Sequence, residues 1–312
     1  MRYSRQEIFD KIGKEGQNLL KKSKVAVIGL GATGSSSAEL LARAGIGELI
    51  LIDRDVVELD NLQRQALYNE DDVGNVKAEA IKNHLGKINS EVKVRALVMD
   101  LDYKNINEIK ADLVLDCTDN IETRNLLNEY CHKNRIPWIY SGVIGDNGLV
   151  LNFTGDYCFN CVFDNIKPEL LGTCDTRGVL NTIVKVISGI QVNEAIKLLT
   201  KQDYSNEMLY FNISNNKLEK YKVKKNNKCK VCNSIYDYLD GKKGNDIVKM
   251  CGRGVYQVKG RKFDLTKLRL EGKLTKYCLI NKDFTIFNDG RAFIKASSEE
   301  KAKSLYSKFI GN

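Results

Sequence analysis

An intact Gly-x-Gly-x-x-Gly, formed by Gly29, Gly31 and Gly34, follows the β-rich run Val25-Ala26-Val27-Ile28 and opens a helical segment near 34–45. In that context each glycine has a use. Gly29 permits the tight turn, Gly31 lets backbone approach a phosphate, and Gly34 packs helix against strand. Amides at the helix start then face an anion. Further β-rich runs at 48–52, 92–97 and 112–115 alternate with amphipathic segments near 76–88 and 121–134. This alternation predicts βαβ units and an α/β, doubly wound, Rossmann-like and mainly parallel sheet.

The first 20 residues read as an N-terminal helix with Ile8, Phe9, Ile12, Leu19 and Leu20 as apolar contacts. Residues 180–199 read as a long buried helix, and 207–223 as two strands. We expect a domain over 1–235, with a nucleotide-binding core at 24–152 and a zinc and crossover-loop region at 153–235. A small α+β tail domain is expected over 245–312. There, 284–287 and 291–294 suggest a hairpin closed by Asp289-Gly290, and Ser297 and Glu300 a capping box for a helix presenting Ala302, Leu305, Tyr306, Phe309 and Ile310.

No run of about 18 uncharged apolar residues appears, and Met1–Glu7 does not resemble a signal peptide. Nine cysteines without a small secreted framework predict a reducing, cytoplasmic setting. The net charge of +9 fits a lysine-rich solvated surface, an acidic protein partner or nucleic acid.

Four cysteines form two Cys-x-x-Cys pairs, Cys158/Cys161 and Cys229/Cys232, with 67 residues between the pairs. Each pair offers two sulfurs at the ~2.3 Å reach of Zn²⁺, so together they can close a tetrahedral structural site. A thioredoxin-like redox pair is the competing reading. Cys117 and Cys131 read as core residues. His84 and His132 read as helix caps or surface residues. Cys251-Gly252-Arg253-Gly254 is faintly like a rhodanese loop, but the 61 residues after Cys251 are too few for that fold.

Asp53 ends the second strand, where a carboxylate can accept hydrogen bonds from ribose hydroxyls. Glycines plus Asp53 suit NAD as well as any other nucleotide. The run Asp60-Asn61-Leu62-Gln63-Arg64-Gln65 followed by Lys77 favours a triphosphate, because cations must offset the charge that builds on a leaving pyrophosphate. Asp119 falls at the C-terminal edge of the fourth strand, where a carboxylate can hold Mg²⁺.

These motifs, with Arg2-Tyr3-Ser4-Arg5-Gln6, Asp116 to Asn120, Thr173-Cys174, Glu194 to Leu199 and both cysteine pairs, resemble the ThiF/MoeB/HesA family over roughly residues 1–233. The resemblance implies ATP-dependent adenylation of the C-terminal glycine of a ubiquitin-like, β-grasp protein ending in Gly-Gly, with release of pyrophosphate. Such carriers serve thiamine, molybdopterin or tRNA thiolation, or protein modification. It assigns Gly31, Ala32, Asp53, Asn61, Gln63, Arg64, Lys77, Asp119 and Asn120 to the Mg-ATP site. It also implies a homodimer in which Arg5 reaches the neighbouring subunit's site, and makes Cys174 the position for a thioester or persulfide link. The sequence departs from the family at Ala32, where the best-known members have glycine, and in lacking a proline after Gly178-Val179-Leu180. Two other functions compete: an NAD-dependent oxidoreductase, resting on the glycines and Asp53 alone, and a non-catalytic nucleotide- or RNA-binding scaffold using the basic 220–269 stretch. A membrane role is not expected, and nucleic acid is the less favoured partner.

Overall fold

The computed structural model describes residues 2–163, 177–244, 247–250 and 254–310. The expectations for Cys174 and Cys251 lie outside the described residues. The chain divides into two compact units, Met1–Lys242 and Lys243–Asn312.

In the first unit, an eight-stranded sheet has the order β3-β2-β1-β4-β5-β6-β7-β8. Its strands are β1 (Lys24–Ile28), β2 (Glu48–Asp53), β3 (Lys93–Val98), β4 (Leu113–Asp116), β5 (Trp138–Ile144), β6 (Asn147–Phe153), β7 (Glu207–Asn212) and β8 (Lys217–Lys222). The first five in spatial order pair in parallel. β6, β7 and β8 each join antiparallel to their neighbour, beginning with a hairpin from β5. Strand order reverses at β1 and β4, and ligands of open α/β sheets gather beyond the carboxyl ends of strands at such a point.

The apolar runs explain why β1, β2 and β4 are central. Side chains alternate across a strand. Val25, Val27, Leu49, Leu51, Leu113 and Leu115 enter one core, while Ala26, Ile28, Ile50, Ile52 and Val114 enter a second. A strand covered on both faces needs a continuous apolar run, as these have. Helices α3 (Ala32–Ala44), α4 (Lys77–Ile88) and α7 (Asn181–Leu199) contribute Leu41, Ile81, Leu85, Ile183 and Ile187 to the first core. On the other face, α5 (Ile121–Asn134) adds Leu126 and Leu127, and the short α6 (Phe159–Phe163) adds Phe159 to an aromatic cluster in which Trp138 of β5 stacks on Phe153 of β6 at 4.5 Å.

The N-terminal segment departs from expectation. It forms two helices, α1 (Ser4–Ile8) and α2 (Gly13–Lys22), separated by a turn in which Gly13 takes φ +58°. Leu20 is buried, but Ile8 and Phe9 are 68% and 56% exposed instead of packing inward.

The second unit is a six-stranded antiparallel sheet with the order β11-β12-β13-β14-β10-β9. Its strands are β9 (Ile247–Lys249), β10 (Val255–Val258), β11 (Lys273–Leu274), β12 (Cys278–Ile280), β13 (Phe284–Phe287) and β14 (Ala292–Lys295). The β13–β14 hairpin turns through Gly290 at φ +96°, as Asp-Gly predicts. Helix α8 (Glu299–Ile310) packs Ala302, Leu305 and Phe309 on this sheet. Its cap is Ser298, one residue later than expected. The Ser298 Oγ accepts the Lys301 N–H at 3.2 Å.

Two glycines test the helix packing. A Cβ on Gly34 would lie 1.9 Å from the Gly29 carbonyl oxygen, whereas one on Gly86 in α4 would meet nothing within 4 Å. In urea unfolding, Gly34→Ala should cost about 2–3 kcal/mol through overpacking, and Gly86→Ala should add up to about 1 kcal/mol through helix propensity.

Candidate active site and cysteine centre

The glycine turn between β1 and α3 is built as its sequence requires. Gly29 takes φ +82°, and a side chain there would strike the Cys117 carbonyl oxygen at 2.7 Å. No side chain caps α3, and no acidic residue occupies its first turn, so amide dipoles at its N-terminus face the crevice. In front of Gly31 only Gln65 Nε2 would approach a Cβ, at 3.8 Å, which leaves room for a phosphate. Ala32 begins the helix and does not take positive φ. Its methyl therefore costs no backbone strain.

Asp53 links this turn to the next segment. Its Oδ2 accepts the Leu30 N–H at 2.5 Å, and its Oδ1 accepts the Asp55 N–H at 2.7 Å. Burial, reinforced by the Asp55 charge and opposed by Lys77 and the two amides, pushes its pKa up to about 6 from 3.8. Folding raises this value, so the associated stability is fully present below pH 3.8 and is lost as pH rises through about 6.

A short ladder then places Lys77. The Val57 N–H donates to Asn75 O at 2.8 Å and the Lys77 N–H to Asp55 O at 3.0 Å, around the Val56–Val76 bridge. Lys77 Nζ thereby sits 3.6 Å from Asp55 Oδ2. Burial disfavours the Lys77 ammonium, but Asp55, Asp53, Asp119 and Glu58 outweigh it and raise its pKa. The field of Asp119 is also felt by Arg54 and Arg124. The structure thus gathers Asp53, Lys77 and Asp119 into one electrostatic group at the switch point.

Arg64 does not join them here. Arg64 Nη1 instead turns back to donate to the Asp60 carbonyl oxygen at 3.0 Å. Asn61 is buried and Gln63 exposed. The side-chain oxygen of Asn120 accepts the Thr123 N–H at 2.8 Å and caps α5. Arg5 is exposed on α1 and forms no ion pair among the described residues.

Several residues of the site were not singled out from the sequence. Arg54 pairs with Asp100 at 3.0 Å and lies 3.8 Å from Asp55. Tyr68 Oη donates to the Leu30 carbonyl oxygen at 2.8 Å, bracing the glycine turn. The Oε1 of Gln65 is buried and has no hydrogen-bond partner, so a polar ligand is favoured beside Gly31. Half-buried Arg124, within the field of Asp119, lies 3.4 Å from Asp116 and stacks 4.8 Å over Tyr140. It also donates from Nη2 to the Thr118 carbonyl oxygen. Gln65 was visible in the sequence as the last residue of the Asp60–Gln65 run; the others are joined only by the fold.

The four cysteines do meet. Cys158 Sγ lies 3.4 Å from Cys229 Sγ and 3.8 Å from Cys161 Sγ, and Cys161 Sγ lies 3.4 Å from Cys232 Sγ. All four sulfurs fall within 4.8 Å of one another. A tetrahedron with metal–sulfur legs of about 2.3 Å has edges of about 3.8 Å, so the donor set fits zinc. The centre docks on α5, where Glu129 accepts the Tyr238 and Leu239 N–H groups and His132 Nδ1 is 3.1 Å from Tyr236 Oη. His84 pairs with Asp72 at 2.7 Å. Cys117 and Cys131 are buried in the cores. None of the described helices is long and apolar enough to cross a membrane.

Known proteins resemble this chain in sequence and in fold. The chain is 36% identical to the sulfur carrier protein ThiS adenylyltransferase of Bacillus subtilis (strain 168), over 99% of both chains. It is 34% identical to the SAMP-activating enzyme E1 of Haloferax volcanii, over 80% of this chain and 94% of that one. Among solved structures, Escherichia coli MccB crystallised with ATP superposes with a TM-score of 0.67 at 29% identity, over 74% of each chain. The ThiF family description matches residues 3–231. The chain belongs to the ThiF family.

Proposed function

We propose that this protein adenylates the C-terminal glycine carboxylate of a ubiquitin-like, β-grasp sulfur carrier, consuming ATP and releasing pyrophosphate. The observation that carries the reading is Lys77, buried at the switch point beside Asp55 and within the field of Asp119. Glycines and Asp53 alone would serve NAD equally well. A cation and an exposed acid at the phosphate end favour a triphosphate.

The chemistry brings two anions together. The carrier carboxylate is already ionised and needs no general base. It attacks the α-phosphorus, a new C–O–P bond forms, and the bond to pyrophosphate breaks. Amides at the start of α3 receive the phosphates, and Asp53 orients the ribose. Lys77 neutralises charge on the phosphates as the leaving group departs. Asp119 would hold Mg²⁺, which supplies further neutralisation when bound. Arg64 is close in sequence and exposed enough to swing from Asp60 to a phosphate. Arg5, with exposed Ile8 and Phe9 beside it, suits a homodimer in which it completes the partner's site.

Three outcomes are expected. First, ATP–pyrophosphate exchange requires a Gly-Gly carrier. Lys77→Ala and Asp119→Ala each lower it about a hundredfold. An Arg5→Ala chain mixed with an Asp119→Ala chain recovers part of the activity through one intact hybrid site. Exchange that ignores the carrier, or survives both substitutions, defeats the reading. Second, ribose hydroxyls donate to ionised Asp53. Adenosine affinity measured by titration calorimetry should therefore weaken about tenfold per unit as pH falls below about 6. Asp53→Asn should give a flat profile. Third, the isolated chain should hold one Zn²⁺. Its removal by a chelator, or Cys229→Ser, should lower the melting temperature, since structural zinc contributes on the order of 10 kcal/mol. Metal analysis that finds no zinc in any preparation would refute the third.

A further inference from the structure

Charge is segregated along this chain. Lys243–Asn312 holds 16 Lys and Arg against 7 Asp and Glu, a surplus of nine. The whole chain has 49 and 40, so residues 1–242 hold 33 of each sign and are formally neutral. The second unit alone accounts for the net charge of +9.

The surplus is densest over 259–276, which carries Lys259, Arg261, Lys262, Lys267, Arg269, Lys273 and Lys276 against Asp264 and Glu271. This segment has an inner and an outer side. Leu265 is buried, and Phe263, Leu268 and Leu270 pack against the core that includes Val258, Ile286 and Ile294. Between these anchors Arg261, Lys262, Lys267, Arg269 and Lys273 are exposed, and none forms an ion pair among the described residues. Asp264 is occupied locally, its Oδ1 accepting the Thr266 N–H at 3.0 Å and the Thr266 hydroxyl at 2.7 Å. A surface built only for solubility intersperses both signs. Here five exposed cations without a close ion pair stand on an apolar footing, with Lys267 alone within the field of Asp264.

We propose that the basic outer side of residues 259–276 is an electrostatic docking surface for an acidic face of the carrier protein whose C-terminus is adenylated. This rests on the adenylation reading. Such a field accelerates encounter without joining the chemical step. Single-stranded nucleic acid is the weaker match, because its bases need exposed aromatic platforms. No Phe or Tyr is exposed among the described residues of this unit, and Leu274 is its one exposed large apolar side chain.

The test uses the full chain with Arg261→Glu, Lys262→Glu, Lys267→Glu and Lys273→Glu combined. A second set carries Gln at the same four positions, and equal melting temperatures establish that both fold. Pyrophosphate exchange is measured with the organism's own Gly-Gly proteins between 50 and 500 mM salt. At low salt, kcat/KM for the carrier should fall about ten- to a hundredfold in the Glu set and less in the Gln set. kcat and the KM for ATP should be unchanged. The gap should close at high salt, where screening shortens the field to a few ångströms. Equal kcat/KM and equal salt dependence in wild type and variants would overturn the proposal. So would unchanged carrier kinetics accompanied by loss of tRNA binding, which would make the surface an RNA site. A wild-type chain that shows no carrier-dependent exchange brings down the adenylation reading itself, a result distinct from either.

Discussion

One buried carboxylate holds the nucleotide end of this fold together. Asp53 takes an amide from the glycine turn with one oxygen and an amide from the following segment with the other. Those two bonds fix Leu30 and Asp55, and each leads to further parts of the site. Leu30 is also held through its carbonyl oxygen by Tyr68. From Asp55 the backbone runs into the ladder that delivers Lys77. Charge-assisted bonds to buried amides are among the stronger polar contacts available. Even so, burial and the neighbouring Asp55 charge lift the Asp53 pKa to about 6. The fold therefore keeps a carboxylate where ionisation is costly, a pattern that clusters at functional sites.

The legible parts of the sequence are those governed by local rules. Central strands announce themselves through continuous apolar runs such as Leu49-Ile50-Leu51-Ile52, since both sheet faces are covered. Gly29 and Gly34 could be assigned because a turn and a close helix–strand approach each exclude a side chain. The Asp-Gly hairpin and the Cys-x-x-Cys pairs follow similar short-range logic. What could not be read depends on tertiary placement. Arg54, Asp55 and Arg124 look like ordinary charged residues until Asp100, Lys77 and Asp116 come beside them. The break at Gly13, which leaves Ile8 and Phe9 exposed, interrupts an otherwise plausible helical pattern. Arg64 illustrates the same limit: spacing put it near Lys77, but its side chain found a nearer acceptor in the Asp60 backbone.

The cysteine centre solves a separate problem. The segment after β8 is rich in lysine and poor in apolar residues, so it has little with which to build its own core. Within that segment only Cys229 and Val231 are buried, and they cluster with Cys158 from before β7, with Cys161, Cys232 and Tyr236 packed around them. Four convergent thiols could supply, through a bound metal, what burial cannot. Glu129 and His132 then couple the stapled segment to α5. At its other end that helix is capped by Asn120, directly after Asp119. One helix thus runs from the four-cysteine cluster to the residue next to the acid at the switch point.

The charge balance around Lys77 also bears on how a polyanion enters. Asp53, Asp55, Asp119 and Glu58 all act on Lys77, while Asp55, Asp100 and Asp119 act on Arg54. Carboxylates therefore outnumber the two cations before any nucleotide arrives. A triphosphate placed there would be repelled unless more positive charge came with it. The protein holds two guanidiniums outside the balanced group: Arg64, resting on the Asp60 carbonyl oxygen, and Arg5, exposed on α1. On the proposed reading, both close on the nucleotide together with a dication at Asp119. Excess carboxylate then becomes a selection device, because a ligand without a bound dication, or a subunit without its neighbour's arginine, leaves the repulsion uncompensated. On that same proposed reading, the chemical step is confined to the fully assembled complex.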